Sequence, residues 1–486
     1  MNVRLLESPV RVMTQASNRQ GKIWPLAVCL ASLISLTISG CNKRKFPLSE
    51  PKGHYENMTR EEAKGILKKK PTVIPEYALT EKVILGSDLV SDFGFKNTAI
   101  PQAILDAGAD IVIIGSQMAR DGLDSHQFAT LTSKLAPYKP RMRVLATDMP
   151  MFPSTWARDW APMAAVTSDK RSVLLDFNYY NERPTDDYTP TLIAQETKGF
   201  TRLSVPMYLE GGNLLTTSDG TCLTTERTVE ANHITPKSYI VDDQGAVVGE
   251  EGSAPVLKGQ KIIQGFRYFD RYGTPRIRTD EIILSRSELE KTLKESAGCS
   301  RVVIFPKLPY ESTGHVDMWA KALTDKIILV SAIDPKAVSS LSGNKLKTIA
   351  SEVGDFLNQR AKELSDLGFE VVRIPMPLPH VKNGPFAPKD REEYGFRSYT
   401  NSLLLSTKKG RFILLPQYEK GLVTNTRASS DEHFPYPDQD RLKDLEREVA
   451  ATYSKYGFTV IALNADQLVA YGGAIHCATM QLPAAQ

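Results

Sequence analysis

The C-terminal stretch Tyr471–Gln481 presents a cysteine in a setting that suits a nucleophile. Two adjacent glycines, Gly472 and Gly473, let the backbone come close to another group, and a short apolar step then leads to Cys477. A lone cysteine is more often a buried apolar side chain, so this segment alone leaves both interpretations open. Whether Cys477 does chemistry depends on the residues that share its site.

Four other polar motifs each open a predicted strand pair. They are Trp156-Ala157-Arg158-Asp159, Glu210-Gly211-Gly212-Asn213, Gly314-His315-Val316-Asp317 and Tyr399-Thr400-Asn401. If the equivalent ends of these units converge, three carboxylates, an imidazole and an amide share one site with the thiol. Acids around a thiol and an imidazole suit a planar cation such as a guanidinium, which carboxylates bind through paired hydrogen bonds. A thiolate can then attack the guanidinium carbon while the histidine carries protons.

The elements that must position these residues recur as strand–strand–helix–strand units. Hairpins are predicted at 163–177, 213–225, 316–332 and 401–416; helices at 191–197, 287–296, 346–367 and 442–456; and lone apolar strands at 203–208, 301–305, 369–374 and 458–463. The last segment, 472–482, opens a fifth strand pair, whose partner we expect among the first strands, such as 109–115. Five units predict a circular array, and an ordinary α/β sandwich is the alternative.

Length and composition predict a large folded protein without a nucleic-acid partner. The chain has 486 residues, of which 41% are hydrophobic and 24% charged, enough to bury a large core. Its net charge is +4, and much of that excess lies near the N-terminus, where Arg4, Arg11, Arg19 and Lys22 outnumber Glu7. The remainder is nearly neutral, so it lacks the basic surface that nucleic acids require.

Residues 1–41 have the pattern of an export signal. Basic residues precede the apolar run 23–38, and small residues precede Cys41, as in a bacterial lipoprotein signal. That resemblance implies cleavage before Cys41, a lipid on its thiol and a membrane anchor in the cell envelope; Asn42 is compatible with the outer membrane. A transmembrane anchor is the alternative, but the apolar run is shorter than the ~20 residues that a span needs.

The rest of the chain divides into a tether and a catalytic domain. Residues 42–74 are rich in Lys, Pro and Glu and predict a tether, with a helix at 59–70 packed on the domain as the alternative. Residues 75–486 form the predicted catalytic domain. A Gly-, Lys- and Asp-rich segment, 232–280, is predicted to be an insertion that forms a lid, a partner surface or nothing functional.

The cysteine count favours one free thiol. With Cys29 and Cys41 in the predicted signal, Cys222, Cys299 and Cys477 remain, and an odd number in an exported protein leaves at least one unpaired. Cys222 and Cys299 are expected as buried apolar side chains, or as a disulfide if they lie close together.

Taken together, the motifs resemble those of the agmatine deiminase and Porphyromonas-type peptidylarginine deiminase family. The resemblance runs from about Pro75 to the C-terminus with all motifs in family order; its segments are 156–162, 210–213, 220–225, 313–317 and 472–479. It implies an α/β fold, the five-bladed α/β-propeller of the guanidine-modifying superfamily, built of ββαβ units with pseudo-fivefold symmetry.

The resemblance also implies roles for individual residues. Cys477 becomes the nucleophile, His315 the general acid/base, and Asp159 and Asp317 the carboxylates that hold the guanidinium. The resemblance further implies substrate contacts from Trp156, by stacking, from Glu210 and from Asn401. The implied reaction forms a thiouronium on Cys477 with loss of ammonia, and water then releases a ureido product without metal or cofactor.

The substrate is less constrained than the chemistry. Agmatine deiminases are typically intracellular, so predicted export favours free or peptidyl arginine, and an agmatine deiminase of putrescine biosynthesis is the alternative. Arg183 could receive the carboxylate of a C-terminal arginine, with a surface salt bridge as an equal alternative.

Other interpretations stay open. The chain could be an amidinotransferase, in which an amine resolves the thiouronium, or a non-catalytic binding lipoprotein, against which the complete catalytic set argues. His315, Asp317, His476 and Cys477 could bind zinc, which the free thiol disfavours. His476 is predicted to be a structural neighbour, since consecutive residues of a strand face opposite sides.

Overall fold

The computed structural model describes residues 58–270, 272–279, 281–381, 393–419, 422–424, 431–433 and 437–485. The predicted signal, the lipidation residue Cys41 and most of the predicted tether lie outside these residues. Within the described ranges, no helix has the length and apolar character needed to cross a membrane.

Helices alternate with strands along the described chain. The α-helices are α1 (Arg60–Leu67), α2 (Ser87–Val90), α3 (Ala99–Ala107), α4 (Ala129–Lys134), α5 (Ala157–Trp160), α6 (Pro184–Glu196), α7 (Glu226–Ala231), α8 (Arg286–Ser296), α9 (Pro335–Ser340), α10 (Asn344–Asp366), α11 (Leu442–Lys455) and α12 (Asp466–Val469).

Most strands are short and bounded by turns. They are β1 (Thr72–Val73), β2 (Lys82–Gly86), β3 (Asp110–Gly115), β4 (Met142–Ala146), β5 (Met163–Val166), β6 (Ser172–Asn178), β7 (Phe200–Tyr208), β8 (Leu215–Thr216), β9 (Thr221–Thr225), β10 (Lys237–Val241), β11 (Val247–Glu250), β12 (Lys261–Phe269), β13 (Pro275–Arg278), β14 (Arg301–Phe305), β15 (Ala320–Ala322), β16 (Ile327–Ala332), β17 (Glu370–Pro375), β18 (His380–Val381), β19 (Tyr394–Gly395), β20 (Leu403–Thr407), β21 (Gly410–Gln417), β22 (Leu422–Thr424), β23 (Asp431–His433), β24 (Thr459–Asn464) and β25 (Met480–Leu482).

Five sheets of the described chain share one plan. In each, an antiparallel strand pair is extended by a parallel strand: β5–β6 by β7, β8–β9 by β14, β15–β16 by β17, β20–β21 by β24, and β25–β2 by β3. The predicted hairpins and their following strands are therefore confirmed. The fifth pair corrects one expectation, because β25 pairs with β2, and the expected partner β3 lies one strand further in.

Helix boundaries follow local signals. In α10, buried Ile349, Val353, Leu357 and Leu364 recur at helical spacing, and the chain leaves the helix at Gly368, whose φ of 97° suits glycine. A capping box between Ser285 and Glu288 opens α8. Helix α6 begins at Pro184, earlier than predicted, because proline fits the first helical turn.

The segment before the domain's first full strand packs on the core. Ile66 of α1 is buried, and β1 pairs with β5. For residues 60–73 the structure therefore has the packed alternative rather than a free tether.

The predicted insertion contains a sheet of its own, in the order β11-β10-β12-β13. It contacts the loop after β6: the Phe269 amide donates to the Asn181 carbonyl at 2.9 Å, and Arg278 Nη2 donates to Asn181 Oδ1 at 2.6 Å. The insertion therefore adjoins the loop that carries Tyr180 and Arg183.

Cys222 in β9 and Cys299 just before β14 form a disulfide. Both half-cystines are buried, and the bond ties together the two strands that flank α7, the inserted sheet and α8. The disulfide alternative is thus confirmed, and Cys477 is the free cysteine of the described chain.

Candidate active site

Cys477 lies in a tight turn rather than in a strand. The Ala478 amide donates to the Ala474 carbonyl at 3.3 Å, and strand β25 begins only at Met480. A Cβ on Gly473 would lie 2.5 Å from the Trp156 ring and 3.0 Å from Cys477 Cβ, so the backbone passes where only glycine fits. Consecutive side chains of a turn can reach the same group, so the expectation that His476 faces away from Cys477 is wrong.

Asn401 holds this turn and the thiol at the same time. Its Oδ1 accepts from the amides of Ala474 and Cys477 at 3.1 and 3.3 Å, and its Nδ2 donates to Cys477 Sγ at 3.1 Å. Burial, with the charges of Asp317 and Asp159, raises the pKa of the Cys477 thiol well above its ordinary value, although the Asn401 hydrogen bond opposes this. Without a cation in the site, Cys477 is therefore a thiol.

Asp317 lies next to the Cys477 thiol. One of its carboxylate oxygens accepts hydrogen bonds, and the other has no hydrogen-bond partner in the described part of the chain. Its Oδ2 accepts from His476 Nδ1 at 2.7 Å and from Asn401 Nδ2 at 3.0 Å, and lies 3.6 Å from Cys477 Sγ. Its Oδ1 is buried and has no hydrogen-bond partner among the described residues. An unpaired buried acceptor costs about 1–3 kcal/mol, so this oxygen is suited to receive a donor from a ligand.

His315 is buried between two carboxylates. Its Nε2 lies 3.1 Å from Glu210 Oε2 and its Nδ1 lies 3.7 Å from Asp159 Oδ1, but neither contact has hydrogen-bond geometry. Burial opposes the imidazolium charge, yet Glu210 and Asp159 outweigh it and raise the pKa of His315 to about 10. His315 is thus a proton donor at neutral pH.

The two carboxylates beside His315 have opposite pKa shifts. Burial, with the charges of Glu210 and Asp317, raises the pKa of Asp159 to about 7, against the effect of His315. Burial would raise the pKa of Glu210 too, but His315 and Arg227 lower it to about 2. Glu210 is therefore ionised at neutral pH and is the counter-ion of His315. Asp159 is only partly ionised, and a bound cation would favour its ionised form.

Glu210 has two further partners that the sequence did not predict. The Tyr180 hydroxyl donates to Oε1 at 2.6 Å, and Arg227 Nε lies 3.3 Å from Oε2 while its Nη2 bonds the Tyr180 hydroxyl. Arg227 follows the predicted Leu-Thr-Thr motif, but nothing in its local pattern indicates a site residue. Glu76, which contacts His476, also lies outside every motif.

Most predicted site residues meet in one place, around Gly212. A Cβ there would lie 2.8 Å from Asp159 Oδ1, 2.9 Å from His315 Nδ1 and 3.0 Å from Asp317 Oδ2. Its amide donates to Asp159 Oδ1 at 3.2 Å. The absence of a side chain at Gly212 therefore leaves the space that the three polar side chains surround.

Arg183 is bound elsewhere. It immediately precedes α6 and pairs with Asp186, whose side chain is 1% exposed, while the Arg183 side chain is 38% exposed. Arg158, predicted as a structural salt bridge, is buried and pairs with Glu76 at 2.8 Å.

The site can bind a planar cation and bring a sulfur nucleophile to it. Acids lie beside His315 and beneath Cys477, and the free oxygen of Asp317 offers an acceptor for an N–H donor. Asp159, Glu210 and His315 place ligand atoms within 4.8 Å of one another, but a protonated His315 has no lone pair to offer a metal ion. The zinc set that includes His476 does not fit, because both His476 nitrogens already contact carboxylates.

The sequence of this chain is similar to those of known proteins over most of its length. A family model described as Porphyromonas-type peptidyl-arginine deiminase matches residues 117–238 and 279–483, which leaves out most of the inserted sheet. A Vibrio parahaemolyticus protein named "Putative agmatine deiminase" is 22% identical over 349 residues, 68% of this chain and 76% of that protein.

Solved structures share the mixed α/β fold. An agmatine deiminase of Enterococcus faecalis has a TM-score of 0.56 at 16% identity, covering 86% of this chain and 98% of that one. A C. jejuni agmatine deiminase has a TM-score of 0.51 at 14% identity, covering 85% and 96%. At these identities the likeness establishes the fold alone.

Gly212→Ala should weaken cation binding while the protein stays folded. The added methyl group would push apart Asp159, His315 and Asp317, and a displacement of this kind costs about tenfold or more in affinity. We expect isothermal titration calorimetry to show guanidinium binding by the wild type and about tenfold weaker or undetectable binding by Gly212→Ala. Gly65→Ala, where a Cβ meets nothing within 4 Å, is the control. Equal affinity of Gly212→Ala and the wild type for guanidinium would contradict the site geometry.

Proposed function

Because the chain belongs to the Porphyromonas-type peptidyl-arginine deiminase family, we propose that it hydrolyses a guanidino group to a ureido group and ammonia through a covalent intermediate on Cys477. The observation that carries this proposal is the meeting of Cys477, His315, Asp159 and Asp317 in one buried site. The reaction breaks a C–N bond of a linear amidine, and it needs no metal or cofactor.

Substrate binding prepares the nucleophile. The guanidinium lies between Asp159 and Asp317, donates to the free Oδ1 of Asp317, and stacks on Trp156. Its positive charge offsets the carboxylates that hold the thiol pKa high, so the thiol loses its proton only when substrate is present. Asn401 Nδ2 then donates to the thiolate.

Chemistry proceeds in two displacements. The thiolate attacks the guanidinium carbon, His315 donates its proton to one nitrogen, and ammonia leaves to give a thiouronium on Cys477. The neutral imidazole of His315 then accepts a proton from water as the oxygen attacks the same carbon. As the C–S bond breaks, the second proton released from the adduct goes to the leaving sulfur, which restores the Cys477 thiol and frees the neutral ureido product. Glu210 stabilises His315 whenever His315 is protonated.

Free or peptidyl arginine is the proposed substrate class, with agmatine as the alternative. Predicted export favours arginine, whereas the relatives named above are agmatine deiminases. Arg227 pairs with Glu210 and offsets its negative charge. The site therefore attracts the second positive charge of agmatine, on its amino group, less strongly than an unpaired Glu210 would. An amidinotransferase would need an acceptor amine, so ammonia release without added amine separates the two reactions.

The five sheets support a five-bladed α/β-propeller. Each has an antiparallel strand pair, an intervening helix or helices and a parallel strand, and a polar residue of the site lies just before each pair. A crystal structure would decide between a closed ring and an open array.

Replacing Cys477 by alanine should abolish turnover, because no other described thiol is free. Ammonia release would be measured with agmatine, arginine, and internal and C-terminal arginyl peptides, without acceptor amine. We expect the wild type to act on at least one of these and Cys477→Ala to act on none at an unchanged melting temperature. Ammonia release by a folded Cys477→Ala would refute the mechanism.

Replacing Arg183 by alanine should raise KM for C-terminal arginyl peptides about tenfold and leave KM for agmatine unchanged, since a charge-assisted hydrogen bond contributes about 1.5–3 kcal/mol. This requires Arg183 to exchange Asp186 for the substrate carboxylate. Arg143→Ala, which removes an exposed arginine paired with Glu196, is the control. If Arg183→Ala changes KM equally for C-terminal arginyl peptides and for agmatine, Arg183 does not bind the substrate carboxylate and is only a structural partner of Asp186.

An N-terminal lipid on Cys41 is proposed to anchor the protein in the bacterial envelope, at the outer membrane. The Cys222–Cys299 disulfide supports export, because disulfides persist in oxidising compartments. Cells fed an alkyne-labelled fatty acid should label the wild type and Cys29→Ser but not Cys41→Ser, which should also leave the membrane fraction. Unchanged labelling of Cys41→Ser would refute the anchor.

A further inference from the structure

We infer that His476 and Glu76 are positioning residues that hold the Asp317 carboxylate with one oxygen fixed and the other turned to the substrate; this inference rests on the proposed deiminase function. Neither residue belongs to the predicted catalytic set. Glu76 also lies outside the segments 117–238 and 279–483 that match the family model, so the inference brings the N-terminal part of the domain into the site.

The His476 ring lies between two carboxylates. Its Nδ1 is 2.7 Å from Asp317 Oδ2 and its Nε2 is 2.7 Å from Glu76 Oε1, and the side chain is 3% exposed. An ionised carboxylate only accepts hydrogen bonds, so both contacts require N–H donors. The geometry therefore fits an imidazolium that donates in both directions.

Glu76 is itself held by two buried cations. Arg158 Nη1 lies 2.8 Å from its Oε1 and Lys321 Nζ lies 3.2 Å from its Oε2, and both basic side chains are 2% exposed. The result is a row of alternating charge from Arg158 and Lys321 through Glu76, whose side chain is 26% exposed, and the buried His476 to Asp317. Removing one member leaves its neighbours as uncompensated buried charges, which keeps the row in one arrangement.

This row positions two atoms that take part in the reaction, Oδ1 of Asp317 and Sγ of Cys477. With Asp317 Oδ2 held by His476 and Asn401, the free Oδ1 is left for the guanidinium. Cys477 directly follows His476, and its carbonyl accepts from the Arg158 amide at 3.0 Å. The same row thus positions both the nucleophile and the carboxylate that receives the substrate, as preorganised catalysis requires.

The row also affects ionisation. Burial would raise the carboxyl pKa values of Glu76 and Asp317, but nearby cations hold both below their ordinary values; for Asp317 the largest of these effects is the His476 hydrogen bond. The other charged or titratable groups that act on Asp317 or lie against it are His315, Lys321, Asp159 and Cys477. Loss of His476 therefore raises the pKa of Asp317, and the cation-binding carboxylate is lost at a higher pH as the solution is acidified.

The kinetic test compares His476→Gln and Glu76→Gln with the wild type. We expect each variant to lower kcat at neutral pH about tenfold or more at a temperature where it is fully folded, because the nucleophile and Asp317 lose their fixed positions. Tyr453→Phe is the control, because it removes a hydroxyl bonded to Ser402 and the Tyr399 carbonyl without touching the row. A variant that merely loses stability would lower the melting temperature and keep the wild-type kcat while folded.

A second measurement does not depend on turnover. In protein labelled with ¹⁵N-histidine, the signals missing from His476→Gln identify His476, and we expect both of its nitrogens to carry protons at neutral pH. A neutral His476 ring, or the wild-type kcat in both folded variants, would overturn the inference. A wild type that releases no ammonia from any guanidine would instead refute the proposed function, while the nitrogen signals still decide whether the His476–Glu76 pair exists.

Discussion

Negative charge buried around an uncharged thiol is the constraint on which the site depends. Asp159, Glu210 and Asp317 lie close together; Glu210 pairs with His315 and Arg227, and Asp317 pairs with His476, so Asp159 only shares His315 with Glu210. Asp159 and the unpaired Oδ1 of Asp317 therefore favour a cation that offers several N–H donors. The same carboxylates keep Cys477 protonated until that cation arrives, which ties nucleophile activation to substrate binding.

The polar residues of the site lie just before the strand pairs of the sheets. Asp159 lies in α5 just before β5, Asp317 just before β15, Asn401 just before β20, and Cys477 just before β25. Side chains from distant parts of the chain then meet around Gly212, where any Cβ would intrude. The strand pairs that follow these residues, together with the Cys222–Cys299 disulfide between β9 and the start of β14, hold His315 Nδ1 3.7 Å from Asp159 Oδ1 and Cys477 Sγ 3.6 Å from Asp317 Oδ2.

Much of this could be predicted from local sequence, because hairpins and helices leave periodic apolar patterns and the polar motifs sit at fixed places beside them. Strand β14 has the bounds predicted for it, and helix α11 agrees with its predicted bounds to within a residue. Charge pairing leaves no such pattern. Glu76 and His476 are 400 residues apart, whereas Arg227 and Glu210, like Arg183 and Asp186, are near one another in the chain but pair only because the backbone between them turns back. Residues 474–478 form a turn where a strand is expected, because the distant Asn401 holds the amides of Ala474 and Cys477.

Trapping the intermediate tests the central claim most directly. A substrate with a ¹³C-labelled guanidino carbon would be mixed with the wild-type enzyme, quenched within one turnover, and the peptide that contains Cys477 analysed by mass spectrometry. Attack by Cys477 predicts a labelled thiouronium on that peptide, which forms before the ureido product and decays as it is released. Product formation in a single turnover with no label on Cys477 at any time would contradict the account.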